Sequence, residues 1–572
     1  MKNLKTNISK YQTFLIPLFI LVLSLFFRFY KLGTLPKAFF GDEAALGYNA
    51  WSILETGKDE YGKLFPITFR SFDDYKPGVY VYLTVPFVAL FGLNQATSRA
   101  AAALAGSLLP VVLYLFLLKI SKKQGESRSE RGCPGAKSFS FFAALTLALS
   151  PWHIEISRTA IEAGVAVFLT MLALYFLLFK KKKFNFLSII LTLTVLFTYH
   201  TARIIAPLML LSFIVLKLVK VKKTNLIVFI LIAVFGLFLA ATASQERFSQ
   251  ISVFSDQGSK LLREESIRED GGPVNVSLFE TRVMHNKVWS IVISFANSYL
   301  TNTSLRYLFL GGAQPPRVTI PETGQFLLFS LPFFLFGLVV SFKRFNNFDK
   351  WLLFVLLLAP LPASLTTAEI PHTYRTLFLL VPISVYIGLG IDQFLTYFKE
   401  SQKKIYLPVL LILVLALAVN FSRTWHQYRV HQQVHQPWYR QYGYEDLITY
   451  LNSIDNKEKI TITNRENEPY IFVLFYNKID PKVYQQWPQK RLGHTSIDQG
   501  GDKWTMFEYT FSEEACPHSD DDHNPNNLYV AHFTCDLPTG YERIKAINFL
   551  DGNPEFYVDR PLAIKDSIKP AR

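Results

Sequence analysis

The first long apolar run of the chain is QTFLIPLFILVLSLFFRFY, residues 12–30. About 20 mostly apolar residues suffice for a helix to cross a bilayer, and about ten further runs of this kind follow. They lie near residues 97–119, 138–151, 160–179, 185–200, 203–219, 224–243, 325–342, 350–366, 374–395 and 405–422. With 50% hydrophobic and 18% charged residues among 572, the chain is predicted to be mainly α, a polytopic membrane helical bundle.

The basic residues predict how these helices are oriented. Lys2, Lys5 and Lys10 precede the first run, which places the N-terminus in the cytoplasm by the positive-inside rule. Every second loop thereafter is also basic, near residues 119–131, 180–183, 217–223, 343–350 and 399–404. A missed helix would have reversed this alternation, so the pattern predicts about 11 spans. The net charge of +15 is then explained by loops at the lipid bilayer, and no nucleic-acid partner is expected.

This orientation predicts two domains. Residues 1–422 form a membrane domain with long external loops at 31–96 and 244–324, and residues 423–572 form an extracytoplasmic domain. The tail combines a β-branched run at 459–463 with a helical pattern near 444–453, which is typical of a small α/β domain. Cys516 and Cys535 both lie in this tail, where disulfides persist, and are expected to pair, with two free thiols as the alternative.

Two features of the first external loop predict local structure. Lys76 precedes Pro77, which favours an extended backbone at the lysine. Residues 78–91 are apolar but too short to span comfortably, so they are predicted to form a helix that lies in or dips into the membrane interface. Such elements would form the wall of a cavity at the membrane surface.

Ionisable residues recur at the external ends of several predicted helices, where they are costly near a bilayer unless they have a role. These residues are Asp42, Glu43, Lys76, His153, Glu155, Arg158, Glu162, His200, Arg203, His372 and Arg375. Sugar transfer from a phosphate-linked donor needs a carboxylate for the acceptor's proton or for developing positive charge, and cations for the leaving phosphate. Arginine binds phosphate oxygens through two N–H groups, whereas lysine supplies a point charge. The external face therefore offers the residue types that this chemistry needs.

Several motifs resemble those of the C-type (GT-C) glycosyltransferases of family 39, which include protein O-mannosyltransferases and the aminoarabinose transferase of lipid A. The first external loop carries Phe40-Gly-Asp-Glu-Ala, Gly57-Lys-Asp-Glu-Tyr-Gly and Tyr75-Lys-Pro with Tyr80 and Tyr82. Later motifs are Ser150-Pro-Trp-His-Ile-Glu-Ile-Ser-Arg, Tyr199-His-Thr-Ala-Arg, His285-Asn-Lys, Gly311-Gly with Pro316-Arg, Thr323-Gly-Gln and Pro371-His-Thr-Tyr-Arg. The resemblance covers roughly residues 12–395 and implies a GT-C-like fold.

The resemblance also implies roles for individual residues. Asp42 matches the catalytic carboxylate, and Lys76 matches the lysine expected at the donor phosphate. Arg158 and Glu162 fit a second acidic site, with Glu155 as the rival acid. The predicted catalytic residues are Asp42, Glu43 and Glu162, and the predicted donor phosphate-binding residues are Lys76, Arg158, Arg203 and Arg375. Further site candidates are His153, Glu155, His200, His285, Lys287 and His372.

The expected function is that of an inverting glycosyltransferase, which moves a sugar from a polyprenyl-phosphate donor to an extracytoplasmic acceptor (a protein, a lipid or a cell-envelope glycan). No cofactor is required on this interpretation, although a divalent cation remains an option, since no spacing of His or acidic residues demands a metal. One alternative is a lipid or solute transporter or flippase without chemistry, which usually shows internal repeats and charges in mid-span. Another is a ligase for glycans on a diphosphate-linked donor. The Trp-Trp-Asp signature of oligosaccharyltransferases is absent from the sequence.

Overall fold

The computed structural model describes residues 2–72, 74–125, 136–242, 252–254, 257–272, 276–435, 437–465, 468–487, 504–513, 515–518 and 524–562. The first helices are α1 Lys2–Phe29, α2 Gly41–Thr56, α3 Val79–Phe91, α4 Gln95–Gly125, α5 Ala136–Leu149, α6 Pro151–Ser157, α7 Glu162–Leu177, α8 Lys182–Leu196, α9 Ala202–Val215 and α10 Lys223–Thr242. They are followed by α11 Gln257–Asp270, α12 Leu278–Met284, α13 Lys287–Thr303, α14 Leu331–Arg344, α15 Asn347–Leu358, α16 Leu361–Ser364, α17 Leu380–Ser401 and α18 Lys403–His426. The last are α19 Gln432–Val434, α20 Tyr444–Asn452, α21 Tyr470–Tyr476 and α22 Pro481–Gln486.

The strands fall into two groups along the chain. The first external loop contains β1 Thr68–Ser71 and β2 Asp74–Pro77. The C-terminal segment contains β3 Lys459–Thr463, β4 Trp504–Met506, β5 Tyr509–Ser512, β6 Asn527–His532, β7 Tyr541–Asn548 and β8 Pro554–Pro561.

Contacts within the chain divide it into two compact units. The helical unit comprises Met1–Tyr30, Ala102–Ser157 and Ile161–Tyr428, and the mixed unit comprises Lys31–Ala101, Arg158–Ala160 and Arg429–Arg572. The division passes through α4. By internal contacts, the first external loop is therefore grouped with the C-terminal segment, whereas the sequence-based division at residue 422 remains a prediction.

Membrane character is evident in the helices that the structure describes. Four are long and apolar enough to cross a bilayer: Gln95–Lys122, Lys223–Thr242, Leu377–Ser401 and Lys403–Val434. The pair Lys137–Leu149 and Pro151–Ser157, bent by 57°, would be a fifth span if it crosses as one. Each of the other apolar runs also coincides with a helix, namely α1, α7, α8, α9, α14 or α15. The count of about 11 spans remains a prediction.

Small residues allow close helix packing inside the helical unit. A Cβ on Gly337 of α14 would lie 1.9 Å from the Tyr386 carbonyl oxygen, and one on Gly390 of α17 would lie 2.0 Å from the Phe333 carbonyl oxygen. The backbones of α14 and α17 therefore touch at two glycines, as is common where helices associate in a bilayer.

The mixed unit contains a two-stranded hairpin and a six-stranded sheet. β1 and β2 pair antiparallel, and the sheet has the order β4-β5-β3-β6-β8-β7, with β3 parallel to both of its neighbours. Its core includes the stacked rings of Tyr444 and Phe472, 4.1 Å apart. The predicted α/β character of the tail is confirmed, and so is the disulfide, which joins Cys516 and Cys535.

Candidate active site

Helix α2 presents two consecutive acids in its first turn, Asp42 and Glu43. The N–H of Gly41, which has no partner inside the helix, donates to Oε1 of Gln441 at 2.7 Å. The unpaired N–H groups of a helix N-terminus carry partial positive charge, which stabilises carboxylates placed there. Both acids lie in this first turn, but they face different partners.

Glu43 is fully buried and pairs with Arg99 of α4. Arg99 Nε and Nη2 donate to the two carboxylate oxygens at 2.7 and 2.9 Å, and both side chains have no solvent exposure. The remaining guanidinium N–H groups donate to the carbonyls of Leu32, Pro36 and Ala38 at 2.7–3.1 Å. All five donors of Arg99 are thus satisfied, which is the condition under which a buried ion pair is tolerated.

Asp42 pairs with Lys76 of β2, whose Nζ donates to Oδ1 of the aspartate. The Asp42 side chain is 44% exposed, whereas that of Lys76 is 11% exposed. A carboxylate that is reachable from solvent stands next to a nearly buried ammonium group. This pair has the composition that sugar transfer from a phosphate requires, an acid for the acceptor and a cation for the phosphate.

The β1–β2 hairpin fixes the position of Lys76. The lysine is opposite Phe69 in the register, and the N–H of Gly78 donates to the Ile67 carbonyl at 2.9 Å to close the ladder. The Phe72 ring lies 4.8 Å from Nζ, within range of a cation–π interaction. The extended conformation predicted for Lys76 is confirmed, and a helix forms over Val79–Phe91, whose position at the membrane interface stays a prediction.

Arg158, a predicted phosphate-binding residue, lies in the mixed unit as well. It is fully buried, and its Nη2 donates to the Leu35 carbonyl at 2.9 Å. Two residues later, the N–H of Ala160 donates to Oε2 of Glu43 at 2.8 Å. The segment 158–160 thus supports the loop that leads into α2, and its predicted role in phosphate binding stays a prediction.

The other predicted residues lie in the helical unit. His153 and Glu155 are buried on α6, and His153 Nδ1 lies 2.8 Å from Nη2 of Arg28. Arg203 is buried in the first turn of α9, with its Nε donating to the Leu196 carbonyl at 3.1 Å. Glu162 begins α7, and His200 is half-buried just before α9. Their roles stay predictions.

His372 and Arg375 are brought together with two residues that sequence reasoning did not select, Arg317 and Glu369. Glu369 lies 3.6 Å from Arg317 Nη1 and 3.4 Å from His372 Nε2, and Arg375 Nη1 donates to Thr366 Oγ1 at 2.7 Å. Burial opposes ionisation of Glu369, but the hydrogen bond from His372 and the arginine charges outweigh it and lower its pKa. Burial lowers the pKa of His372 to about 4, so the imidazole is neutral at physiological pH.

His285 and Lys287 lie in the second long loop. His285 Nε2 is 3.1 Å from Asp270 at the end of α11, and Lys287 begins α13. The contact joins the end of α11 to the residue that follows α12. Among the described residues, no group of three His, Cys, Asp or Glu side chains could hold a metal ion.

Sequence reasoning missed Arg99, Arg317 and Glu369, although the two arginines each left a signal. Arg99 is an arginine near the start of an otherwise apolar run, and an ionisable residue in such a run usually has a buried partner. Arg317 stands in the Pro316-Arg motif, which was part of the resemblance. Glu369 lies just before Pro371-His-Thr-Tyr-Arg, but nothing in its local pattern marks it.

Comparison with known proteins was made with sequences and with structures. No family model matches the sequence, and no curated protein matches it. Among solved structures, the chain is similar to ArnT from Cupriavidus metallidurans bound to undecaprenyl phosphate, at 12% identity, with 80% of this chain and 84% of that chain covered and a TM-score of 0.44. It is also similar to the Archaeoglobus fulgidus oligosaccharyltransferase in the apo form, at 13% identity, with 82% of this chain and 64% of that chain covered and a TM-score of 0.45. The apo state of the same ArnT matches at 12% identity over 82% and 85% of the two chains, with a TM-score of 0.34.

Proposed function

We propose that the protein is an inverting glycosyltransferase that moves a sugar from a polyprenyl-phosphate carrier to a hydroxyl group of an extracytoplasmic acceptor. The observation that carries the proposal is the Asp42–Lys76 pair, in which a half-exposed carboxylate is held beside a nearly buried ammonium group. The buried Glu43–Arg99 pair holds the same turn of α2 through the neighbouring residue. A transporter interpretation does not explain why these two pairs are built side by side.

Each partner has a task in the reaction. Asp42 accepts the proton of the acceptor hydroxyl, and the acceptor oxygen forms a bond to the anomeric carbon while the bond from that carbon to the donor phosphate oxygen breaks. The electron pair of the broken bond stays on the polyprenyl phosphate, whose additional negative charge Lys76 stabilises. One displacement inverts the anomeric configuration. Glu43, which the sequence predicts to be catalytic, is here assigned the positioning of α2.

The proposed orientation places the N-terminus in the cytoplasm and the C-terminal segment outside. The disulfide between Cys516 and Cys535 supports this assignment, because disulfides persist in oxidising compartments. The acceptor is then an extracytoplasmic protein, lipid or envelope glycan. The proposed reaction includes no metal, so transfer is expected to continue in the presence of EDTA.

The test uses the full-length protein in lipid nanodiscs with membrane acceptors and a panel of donors: mannosyl, glucosyl and arabinosyl undecaprenyl phosphates and a glycan on undecaprenyl diphosphate. Wild-type protein is expected to transfer one of these sugars, and Asp42→Asn is expected to lose the activity. Glu55→Gln is the matched control, because Glu55 is an exposed acid on the same helix. Transfer by Asp42→Asn at the wild-type rate would overturn the assignment, and transfer from a diphosphate-linked donor alone would favour the ligase.

A further inference from the structure

Glu60 is a buried acid that the proposed reaction does not use. The residue has no solvent exposure, and its Oε1 accepts hydrogen bonds from Asn49 Nδ2 at 3.3 Å and from Ser71 Oγ at 3.0 Å. Its N–H donates to Asn49 Oδ1 at 3.0 Å. Oε2 is also buried and has no hydrogen-bond partner among the described residues. A carboxyl group placed in this way is costly, so its position calls for a physical reason.

The two hydrogen-bond partners of Glu60 lie on the two elements that carry the candidate catalytic pair. Asn49 is on α2, seven residues after Asp42 and therefore on the same face of the helix. Ser71 is the last residue of β1, directly before the turn into β2 and Lys76. Glu60 thus ties α2 to the β1–β2 hairpin through one carboxyl oxygen, and Asn49, Glu60 and Ser71 together form a clamp between the two elements.

Charged and titratable groups from every neighbouring element face Glu60. They are Asp59 from its own loop, Lys76 from β2, Tyr48 from α2, Tyr470 from α21 and Tyr484 from α22, and the last two tyrosines also interact with Tyr61 and Glu468. Burial raises the pKa of Glu60 to about 7, with the Asp59 charge adding to this effect and the Lys76 charge opposing it. The carboxyl therefore changes its charge near neutral pH.

We infer that Glu60 is a positioning residue for Asp42 and Lys76, and that its charge state sets how strongly Lys76 attracts the donor phosphate. This inference rests on the proposed transferase function. When Glu60 is protonated, the clamp is intact and adds no negative charge near Lys76. When Glu60 is ionised, a second carboxylate faces the site and weakens the binding of an anionic donor.

The kinetic test separates donor binding from turnover. In wild-type protein, the KM for the polyprenyl-phosphate donor is expected to rise about tenfold as pH increases through about 7, with a smaller change in kcat. Glu60→Gln keeps an oxygen that can accept from Asn49 and Ser71 but cannot ionise, so this rise in KM should disappear. A Glu60→Gln variant that keeps the wild-type pH profile of KM would overturn the inference that the charge of Glu60 sets the affinity for the donor.

Asp59→Asn is the matched control. Asp59 is a buried neighbouring acid, but its Oδ1 accepts from the N–H groups of Tyr61 and Lys63, within its own loop. Its replacement removes a charge that raises the pKa of Glu60, so the rise in KM should persist and move to lower pH. Asn49→Ala breaks the clamp without removing the acid and should reduce kcat about tenfold at every pH. A wild-type kcat in Asn49→Ala would overturn the inference that Glu60 positions Asp42 and Lys76.

Two measurements without substrate distinguish failure of this inference from failure of the proposed function. Infrared spectra of the donor-free protein should show a protonated carboxyl band that titrates near pH 7, is retained in Asp59→Asn and is lost in Glu60→Gln. Hydrogen exchange of the hairpin amides should accelerate in Asn49→Ala but not in Asp59→Asn. If both results are obtained but the wild type transfers no sugar, the clamp is supported and the transferase assignment is overturned. If neither result holds, the clamp itself is wrong.

Discussion

Asp42 and Glu43 are neighbours in one helical turn, yet their surroundings differ in almost every respect. Glu43 is completely buried and engages a guanidinium group that is also completely buried, whereas Asp42 is 44% exposed and engages a lysine on a hairpin. Successive side chains on a helix point about 100° apart, which lets one turn face two environments. One acid is therefore enclosed with its cation while the other is partly exposed to solvent, so proximity in sequence does not imply the same surroundings.

The largest expected effect comes from breaking the buried pair with Arg99→Ala. The change leaves the Glu43 carboxylate buried without its cation and removes the hydrogen bonds to three backbone carbonyls. Loss of one partner from a buried ion pair costs about 3–5 kcal/mol, so we expect a much lower unfolding temperature and no transfer. Thermal unfolding in detergent measures this effect, with Arg70→Ala, on β1, as the control.

A variant Arg99→Ala that unfolds at the wild-type temperature would show that Glu43 does not depend on this partner. The comparison between the two acids would then lose its physical basis.

Removal of the exposed carboxylate should affect activity and not stability. We expect Asp42→Asn to lower kcat about 100- to 10,000-fold, the range that a general base contributes, because the amide cannot accept the acceptor's proton. The unfolding temperature should stay close to wild type, since a partly exposed ion pair contributes at most about 1 kcal/mol. Measuring kcat and thermal unfolding for Asp42→Asn beside Glu43→Gln makes the contrast direct. Equal loss of stability in both variants would contradict it.

Lys76→Ala tests the cationic half of the exposed pair. The variant should raise the KM for the donor about 10- to 100-fold, because the phosphate loses a charge-assisted contact. Lys76→Arg keeps the charge in a different shape and should recover part of the binding. The measurement is donor titration at constant acceptor. An unchanged KM in Lys76→Ala would remove Lys76 from the donor site.

The smallest expected effect concerns the aromatic support of Lys76. Phe72→Leu removes the ring that lies 4.8 Å from Nζ and with it about 0.5–1 kcal/mol of cation–π attraction. The KM for the donor should change about two- to fivefold, as measured in the same titration. Tyr75→Leu on the same hairpin is the control, because this side chain is 53% exposed. A larger effect from Tyr75→Leu would show that the hairpin surface, and not the ring under Lys76, matters.

The sequence predicted the elements that depend on local pattern. Every predicted apolar run coincides with a helix, because the backbone of a long apolar segment must satisfy its own hydrogen bonds in a bilayer. Pro77 restricts the backbone of Lys76, and β2 forms there. The helix near residue 444 and the strand at residue 459 also follow from their local periodicity.

The resemblance to known motifs selected Asp42 and Lys76, and the structure places these two side chains in contact. The same motifs contain Glu60, but nothing in the sequence indicates that it is buried between Asn49 and Ser71. Burial of an acid depends on which segments cover it, and that depends on the path of the whole chain.

By itself, the sequence determined the membrane helices, the α/β character of the tail and the two residue types of the candidate active site, because periodicity, composition and motif are local properties. The tertiary structure alone decided which acid is supported and which is exposed. Glu43 and Arg99 are 56 residues apart, and Gly41 and Gln441, which join the start of α2 to the C-terminal segment, are 400 residues apart. Contacts over such separations form only when the free energy gained on folding exceeds the entropy cost of closing the intervening chain. A local sequence pattern does not indicate whether this condition is met.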